Sequence, residues 1–383
     1  MSLNLHRRHA ARLLLAAAAA ATLLGSGSSF ANDGDDDRGE SCSCSLRHGK
    51  IFISTNAPTG NEVLVYQRAG SGPASLLTRF ATQGTGTGAG LGSQGAVTLS
   101  DNGRYLFVVN AGSNTLSTFA LAASGGLVLK SVVDTGGLTP TSVTERDGLV
   151  YVLNAGGAGG VAGFRNVRGT LVPVAGSNGT LSATSGTAPA QVGFSSDGDV
   201  LVVSERATNK LTSFTVRRDG SLAGKTVTNS SGATPFGFAF TRRDVLIVSE
   251  APGSSVSSYR FNEHSATPRL VTGSLANGQG AACWIAVTPN GRYAFSANAG
   301  TSSVSSFNVA SNGQLSLIAG AAGLTGPNAG AIDMAVSPDG EQLHVFANRG
   351  LQIVSFTIAP GGTLLPLGSV GGLPTGSAGL AVN

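Results

Sequence analysis

The 383-residue sequence predicts an all-β protein, a seven-bladed β-propeller with four antiparallel strands per blade. Three observations carry that expectation. A unit spanning residues 103–119 places β-branched and aromatic residues between breaks of Gly, Ser and Asn, the composition of paired strands and tight turns. Variants of the unit return at a period of about 45–50 residues, the range of repeat architectures. The last residues, 379–383, read as an inner strand that the first unit lacks, so the C-terminus completes the first blade and removes two open sheet edges.

Each element has its own signature. The inner strands are Val97-Thr-Leu-Ser, Ser142-Val-Thr-Glu, Val192-Gly-Phe-Ser, Phe238-Ala-Phe-Thr, Ile285-Ala-Val-Thr, Met334-Ala-Val-Ser and Leu380-Ala-Val-Asn. Turns such as Ser100-Asp-Asn-Gly, Ser196-Asp-Gly and Ser337-Pro-Asp-Gly follow them, supplying the positive φ of tight hairpins. The next strands are expected to end at Asn56, Asn110, Asn154, Glu205, Glu250, Asn298 and Asn348. The third strands carry Tyr66, Phe119, Phe164, Phe214, Tyr259, Phe307 and Phe356. A weaker outer strand, as in Leu315-Ser-Leu-Ile, closes each unit.

Before the propeller, residues 1–31 have the form of an export signal: Arg7, Arg8 and Arg12, then a Leu/Ala run too short to span a membrane, then Ser29-Phe-Ala31. A periplasmic or secreted protein follows, with no membrane span after signal removal. Residues 32–48 read as an acidic, cysteine-containing linker, and residues 49–383 as the propeller. The formal charge of +4 loses three arginines with the signal, leaving 4 − 3 = +1, and no Lys/Arg cluster remains, so nucleic acid is excluded as a partner. An oxidising compartment permits a disulfide from Cys42 or Cys44 to Cys283, with one thiol left over. The stretch Gly84-Thr-Gly-Thr-Gly-Ala-Gly-Leu-Gly lacks the Lys and the helix of a phosphate cradle and reads as a flexible connector between blades one and two.

Candidate functional residues gather at one end of the ring. Inner strands start, and the strands after them end, on a common face, here termed the entry face; the Asp-Gly and Asn-Gly turns lie on the opposite, turn face. On the entry face the strand-end residue is Asn in five blades and Glu in two, Glu205 and Glu250. A pair of carboxylates near a central funnel suits general-base chemistry, and equally suits acceptance of turn N–H groups. Arg206 and Lys210 follow Glu205, and Arg349 follows Asn348. Gln191, Trp284 and Asp333 sit at inner-strand starts. Trp284 either stacks on a ligand or packs between blades. His344 falls inside a strand, and no histidine is placed for a Ser-His-Asp triad.

The segments Gly103-Arg-Tyr-Leu-Phe-Val-Val-Asn and Pro289-Asn-Gly-Arg-Tyr-Ala-Phe-Ser-Ala-Asn resemble the Tyr-Val-Thr-Asn propeller repeat. Residues 49–383 as a whole are similar to the seven-bladed lactonase family, which includes bacterial 6-phosphogluconolactonase and fungal carboxymuconate-lactonizing enzymes. Val202-Val-Ser-Glu-Arg-Ala-Thr-Asn-Lys-Leu resembles a lactonase-like bacterial branch. Where family members carry Pro-X-His, this chain reads Pro189-Ala-Gln191, Cys283-Trp284 and Ile332-Asp333, so no family histidine carries over.

Two functions are expected in competition. One is a lactone or ester hydrolase in which Glu205 or Glu250 activates water, Arg206 or Arg349 stabilises the oxyanion, and Gln191, Trp284 and Asp333 contact the substrate. The other is a non-catalytic, monomeric propeller that binds an extracytoplasmic protein, glycan or polymer through entry-face loops. No cofactor is expected, although calcium held by Glu205, Glu250 and Asp333 would suit oxygen ligands.

Overall fold

The computed structural model describes residues 49–122, 125–262 and 265–383. The export signal, the linker, Cys42, Cys44 and His264 lie outside the described residues. Among those described, 28 strands form seven four-stranded antiparallel sheets. Six blades are contiguous in sequence. Blade one takes its inner strand, Ala378–Val382, from the far end of the chain and sets it beside Lys50–Ser54. Ile51 faces Val382 and Phe52 faces Ala381. Asn383 fastens the join, accepting Lys50 N at 2.7 Å through its side chain and donating its own N to Lys50 O at 3.0 Å.

The blades have no private cores. Seven apolar clusters each join one blade to the next, the last joining Ile51, Ile53 and Leu64 of blade one to Phe346 and Ile353 of blade seven. This explains why the second strands are continuously apolar. Along Tyr105–Asn110 side chains alternate between two faces: Leu106 and Val108 pack toward blade one, Phe107 and Val109 toward blade three. Both faces are buried, so both must be apolar.

The turns predicted on the turn face are present, with positive φ at Gly103, Gly148, Gly198, Gly291 and Gly340. Blade five lacks a glycine there and uses Asp244 at φ 55° instead. Two boundaries differ from expectation. The second strands of blades one and seven end at Ser54 and Ala347, so Asn56 and Asn348 lie outside the ladder. The outer strands are longer than their weak pattern suggests, reaching Leu315–Leu324 in blade six.

Candidate functional site in the axial cavity

The seven inner strands stand side by side around the axis, and Ala378–Val382 touches Val97–Leu99 to close the circle. Strand pairing puts Gln191, Trp284 and Asp333 at the equivalent place in blades four, six and seven, opposite Ser204, Ala297 and Phe346. They therefore share one level along the axis.

The glycine-rich stretch is not a slack connector. The segment it leads into, residues 93–95, crosses the entry end of the axis and plugs it. Gln94 N donates to Ala190 O at 3.1 Å, and Ser93 Oγ to Thr141 O at 2.8 Å. The Gln94 side chain reaches blade six, giving Nε2 to Ile285 O at 2.7 Å and taking Ile285 N at 3.1 Å. Trp284 Nε1 donates to Ser93 O at 3.0 Å. Gly88, Gly92 and Gly95 hold positive φ along this path. At Gly95 a side chain would also crowd Ser142 Oγ, at 3.2 Å from an added Cβ, so the close approach needs glycine.

Beneath this plug lies a cavity of about 370 Å³ on the axis. Its floor is Gln94, Gly95, Gln191 and Asp333; its walls are the later halves of inner strands, including Thr98, Thr144, Phe194, Phe240 and Val382. Burial shows where it opens. Ala190, Ala282 and Ala331 at the entry end have no exposed surface, whereas Leu99, Thr144, Phe240 and Val336 at the other end are partly exposed. The mouth is on the turn face.

Asp333 is the ionisable group of this cavity. Met334 N donates to Oδ1 at 3.0 Å. The amides of Gly95 and Leu380 also face the carboxyl, and Oδ2 has no hydrogen-bond partner among the described residues. Burial pushes its pKa up to about 7, against the lowering effect of those amides. A carboxyl that exchanges its proton near neutrality, with one oxygen free, can move a proton to or from a bound molecule. Gln191 lines the same cavity, but both ends of its amide are engaged with Phe238, accepting its N at 2.6 Å and donating to its O at 2.9 Å.

Glu205 and Glu250 lie elsewhere, wholly buried in the ends of their own blades. Glu205 accepts from Ser182 N at 2.9 Å, Thr208 Oγ1 at 2.8 Å, Thr212 Oγ1 at 2.5 Å and the Ser182 hydroxyl. Glu250 accepts from Gly232 N at 2.7 Å, Ser255 Oγ at 2.7 Å and Ser257 Oγ at 2.6 Å. Asn298 occupies the same place in blade six with the polarity reversed, donating to Ser303 Oγ and Ser305 Oγ at 3.1 and 2.9 Å. The two glutamates do not meet, and Asp333 does not join them: among the described residues no three His, Cys, Asp or Glu side chains cluster as a metal cage. The oxygen set imagined for calcium is not assembled.

The remaining candidates form an entry-face group. The Arg206 guanidinium lies 5.0 Å from the centre of the Phe236 ring, and its Nε donates to Ala188 O at 3.0 Å rather than neutralising Glu205. Phe236 packs on Trp284 with ring centres 4.8 Å apart, so Trp284 is a buried packing residue. Arg349 donates to Asn328 O at 2.9 Å and Ala299 O at 2.7 Å. Cys283 is buried and has no disulfide partner among the described residues; burial pushes its thiol up to about 12, although Arg206 draws it down. His344 is buried within its strand, Nδ1 2.8 Å from Ser355 Oγ.

Sequence reasoning missed Gln94, Thr144 and the aromatic mouth at Phe194 and Phe240. One signal was available: inner strands end in the aromatic residues Phe194 and Phe240 directly before polar turns.

The fold and this axial site define the class, a seven-bladed β-propeller with a single-mouthed axial cavity. Residues 159–283 match the model of the family described as Lactonase, 7-bladed beta-propeller, the family that the repeats resemble. A "putative 6-phosphogluconolactonase" from Bacteroides fragilis superposes with a TM-score of 0.70 at 18% identity, covering 88% of this chain and 98% of that one. A protein of unknown function from Desulfotomaculum acetoxidans gives 0.68 at 16%, covering 88% and 98%. The periplasmic gluconolactonase of Pseudomonas aeruginosa gives 0.66 at 18%, covering 87% and 98%. At such identities the likeness is one of fold. No curated protein matches the sequence.

Proposed function

We propose that the protein is an exported hydrolase of lactones or related esters, with Asp333 as the general base in the axial cavity. The observation that carries this reading is Asp333 itself: a buried carboxyl with a pKa of about 7 and an unpartnered oxygen, on the floor of a cavity of ligand size. The ionised carboxylate takes a proton from a water molecule. The water oxygen bonds to the lactone carbonyl carbon, the ring C–O bond breaks, and the departing alkoxide takes the proton back from Asp333. The product is the hydroxy acid, and the carboxylate is regenerated. Thr144 lines the cavity and can donate its hydroxyl to the substrate. In this reading Glu205 and Glu250 hold blade ends, since every face of each carboxylate is turned to a donor or buried. Export rests on the form of residues 1–31 and is consistent with the absence, among the described residues, of any helix long and apolar enough to cross a membrane.

A second reading, a propeller that binds a ligand without turning it over, draws on one observation. No Lys or Arg lines the cavity, so an oxyanion there would meet no cation. Hydrolysis of a lactone panel by the purified protein, beside Asp333→Asn, Glu205→Gln and Glu250→Gln, separates the two. The hydrolase reading expects turnover lost in Asp333→Asn and kept in both Gln variants. Absence of turnover on every lactone moves the assignment to the binding reading.

A further inference from the structure

We propose that the axial cavity selects alkyl- or aryl-substituted lactones and esters over polyhydroxylated ones; the inference rests on the hydrolase reading above and specifies its substrate. A sugar lactone brings a hydroxyl on nearly every carbon, and each must find a partner once it leaves water. The cavity has few to give. Of its polar side chains, Gln94 is bound at both ends to Ile285 and Gln191 at both ends to Phe238, while Thr98 donates to Val143 O at 2.8 Å. That leaves Thr144 and Asp333.

Part of the backbone is committed as well. The axial edge of an inner strand would normally offer free N–H and C=O groups to a ligand. Here those of Phe238 and Ile285 are capped by the two glutamines, Val143 N is taken by Gly95 O at 2.8 Å, and Val192 N by Ser142 Oγ at 3.2 Å. Of the apolar wall residues, Leu99 and Phe240 keep surface open to the cavity, while Val192, Phe194, Leu380 and Val382 are buried between the blades. Such a surface gains from covering an alkyl chain or an aryl ring, and gains nothing from a polyol. The ester end of the ligand is directed to the floor, where Asp333 can reach it, and the apolar end lies toward the mouth at Phe240, past Thr144 on the wall.

The test compares undecano-δ-lactone, which carries a hexyl chain, with glucono-δ-lactone on the same ring size, following acid release by the purified protein at constant pH. The expected result is a kcat/KM higher by about a hundredfold or more for the alkyl lactone. Leu99→Asn, which puts an amide in the wall, is expected to reduce the ratio of the alkyl to the glucono value about tenfold or more. Equal or reversed preference, or indifference to Leu99→Asn, overturns the inference. Should neither lactone turn over, titration calorimetry with the non-hydrolysable undecano-δ-lactam distinguishes the two failures. Binding that is weakened by Leu99→Asn keeps the apolar selectivity and rejects only the hydrolase reading. No binding rejects the selectivity itself.

Discussion

The side-chain amide of Gln94 pairs with both backbone groups of Ile285, 191 residues away in sequence, donating to the carbonyl at 2.7 Å and accepting the N–H at 3.1 Å. Gln191 does the same to Phe238 one blade earlier. Each glutamine acts as a missing strand for one residue; Gln94 pins the plug to blade six, and Gln191 pins blade four to blade five. Gly237 stands beside this contact because an added Cβ would lie 2.1 Å from Gln94 Oε1.

Gln94→Ala should therefore destabilise the protein beyond the loss of a loop contact. It leaves a buried N–H and a buried C=O unpaired, a cost of about 2–4 kcal/mol in total. Urea unfolding measures it. A change below about 0.5 kcal/mol, the size of an ordinary surface substitution, would show that the plug is not fastened in solution.

Glu205→Gln and Glu250→Gln replace an acceptor by a donor in a shell made of donors. Each should lower stability by about 1–3 kcal/mol, read from unfolding midpoints. Unchanged stability in both would mean that these carboxylates are not blade-end acceptors.

The pH dependence of stability should show two opposed contributions. Burial holds His344 down to about 3, with Nε2 unpartnered, so the unfolded chain binds the extra proton between about 3 and 6.5 and stability falls as the pH is lowered through that range. Asp333 is raised to about 7, so the folded protein binds the extra proton between about 4 and 7, and stability falls as the pH is raised. In their shared window the slopes, about 1.4 kcal/mol per pH unit each, largely cancel. Asp333→Asn should expose the His344 slope between pH 4 and 6.5. A slope unaltered by the substitution would contradict the assignment.

Removal of residues 378–383 should leave the Lys50–Ser54 edge and the cluster around Ile51 and Leu64 open to solvent. A Tm lower by about 10 °C or more, together with aggregates in size-exclusion chromatography, is the expected result. A monomer of unchanged Tm would mean that the ring does not depend on its terminal strand.

The propeller was legible because its signals are local and repeated. Asp-Gly and Asn-Gly turns recur after five inner strands, an aromatic marks each of the seven third strands, and the final Leu380-Ala-Val-Asn supplied the missing strand. The placement of Gln191, Trp284 and Asp333 was legible for the same reason, since equivalent positions in a repeat share a level on the axis. The partners of Glu205 were partly visible as Thr208 and Thr212 at spacings of three and seven, but the hydroxyl and amide of Ser182 come from a loop outside the repeat. The plug was not legible. Gly84-Thr-Gly-Thr-Gly-Ala-Gly-Leu-Gly has the composition of slack chain, yet it bonds to residues 56, 57 and 112, and Ser93 and Gln94 directly after it bond across the ring to residues 141, 190 and 285. With the entry end closed, the cavity opens on the face whose turns appeared to be explained by backbone geometry alone.

The measurement that bears most directly on the account is the pH–rate profile of lactone hydrolysis for the wild type and for Asp333→Asn. The account predicts that wild-type kcat/KM rises with pH and levels off through an inflection near 7, because the base must be ionised. It also predicts that Asp333→Asn, folded by circular dichroism, loses about a hundredfold or more of the plateau rate and the inflection with it. A profile that keeps its inflection and rate in Asp333→Asn would contradict the claim that this carboxyl, at the floor of the axial cavity, is where the chemistry occurs.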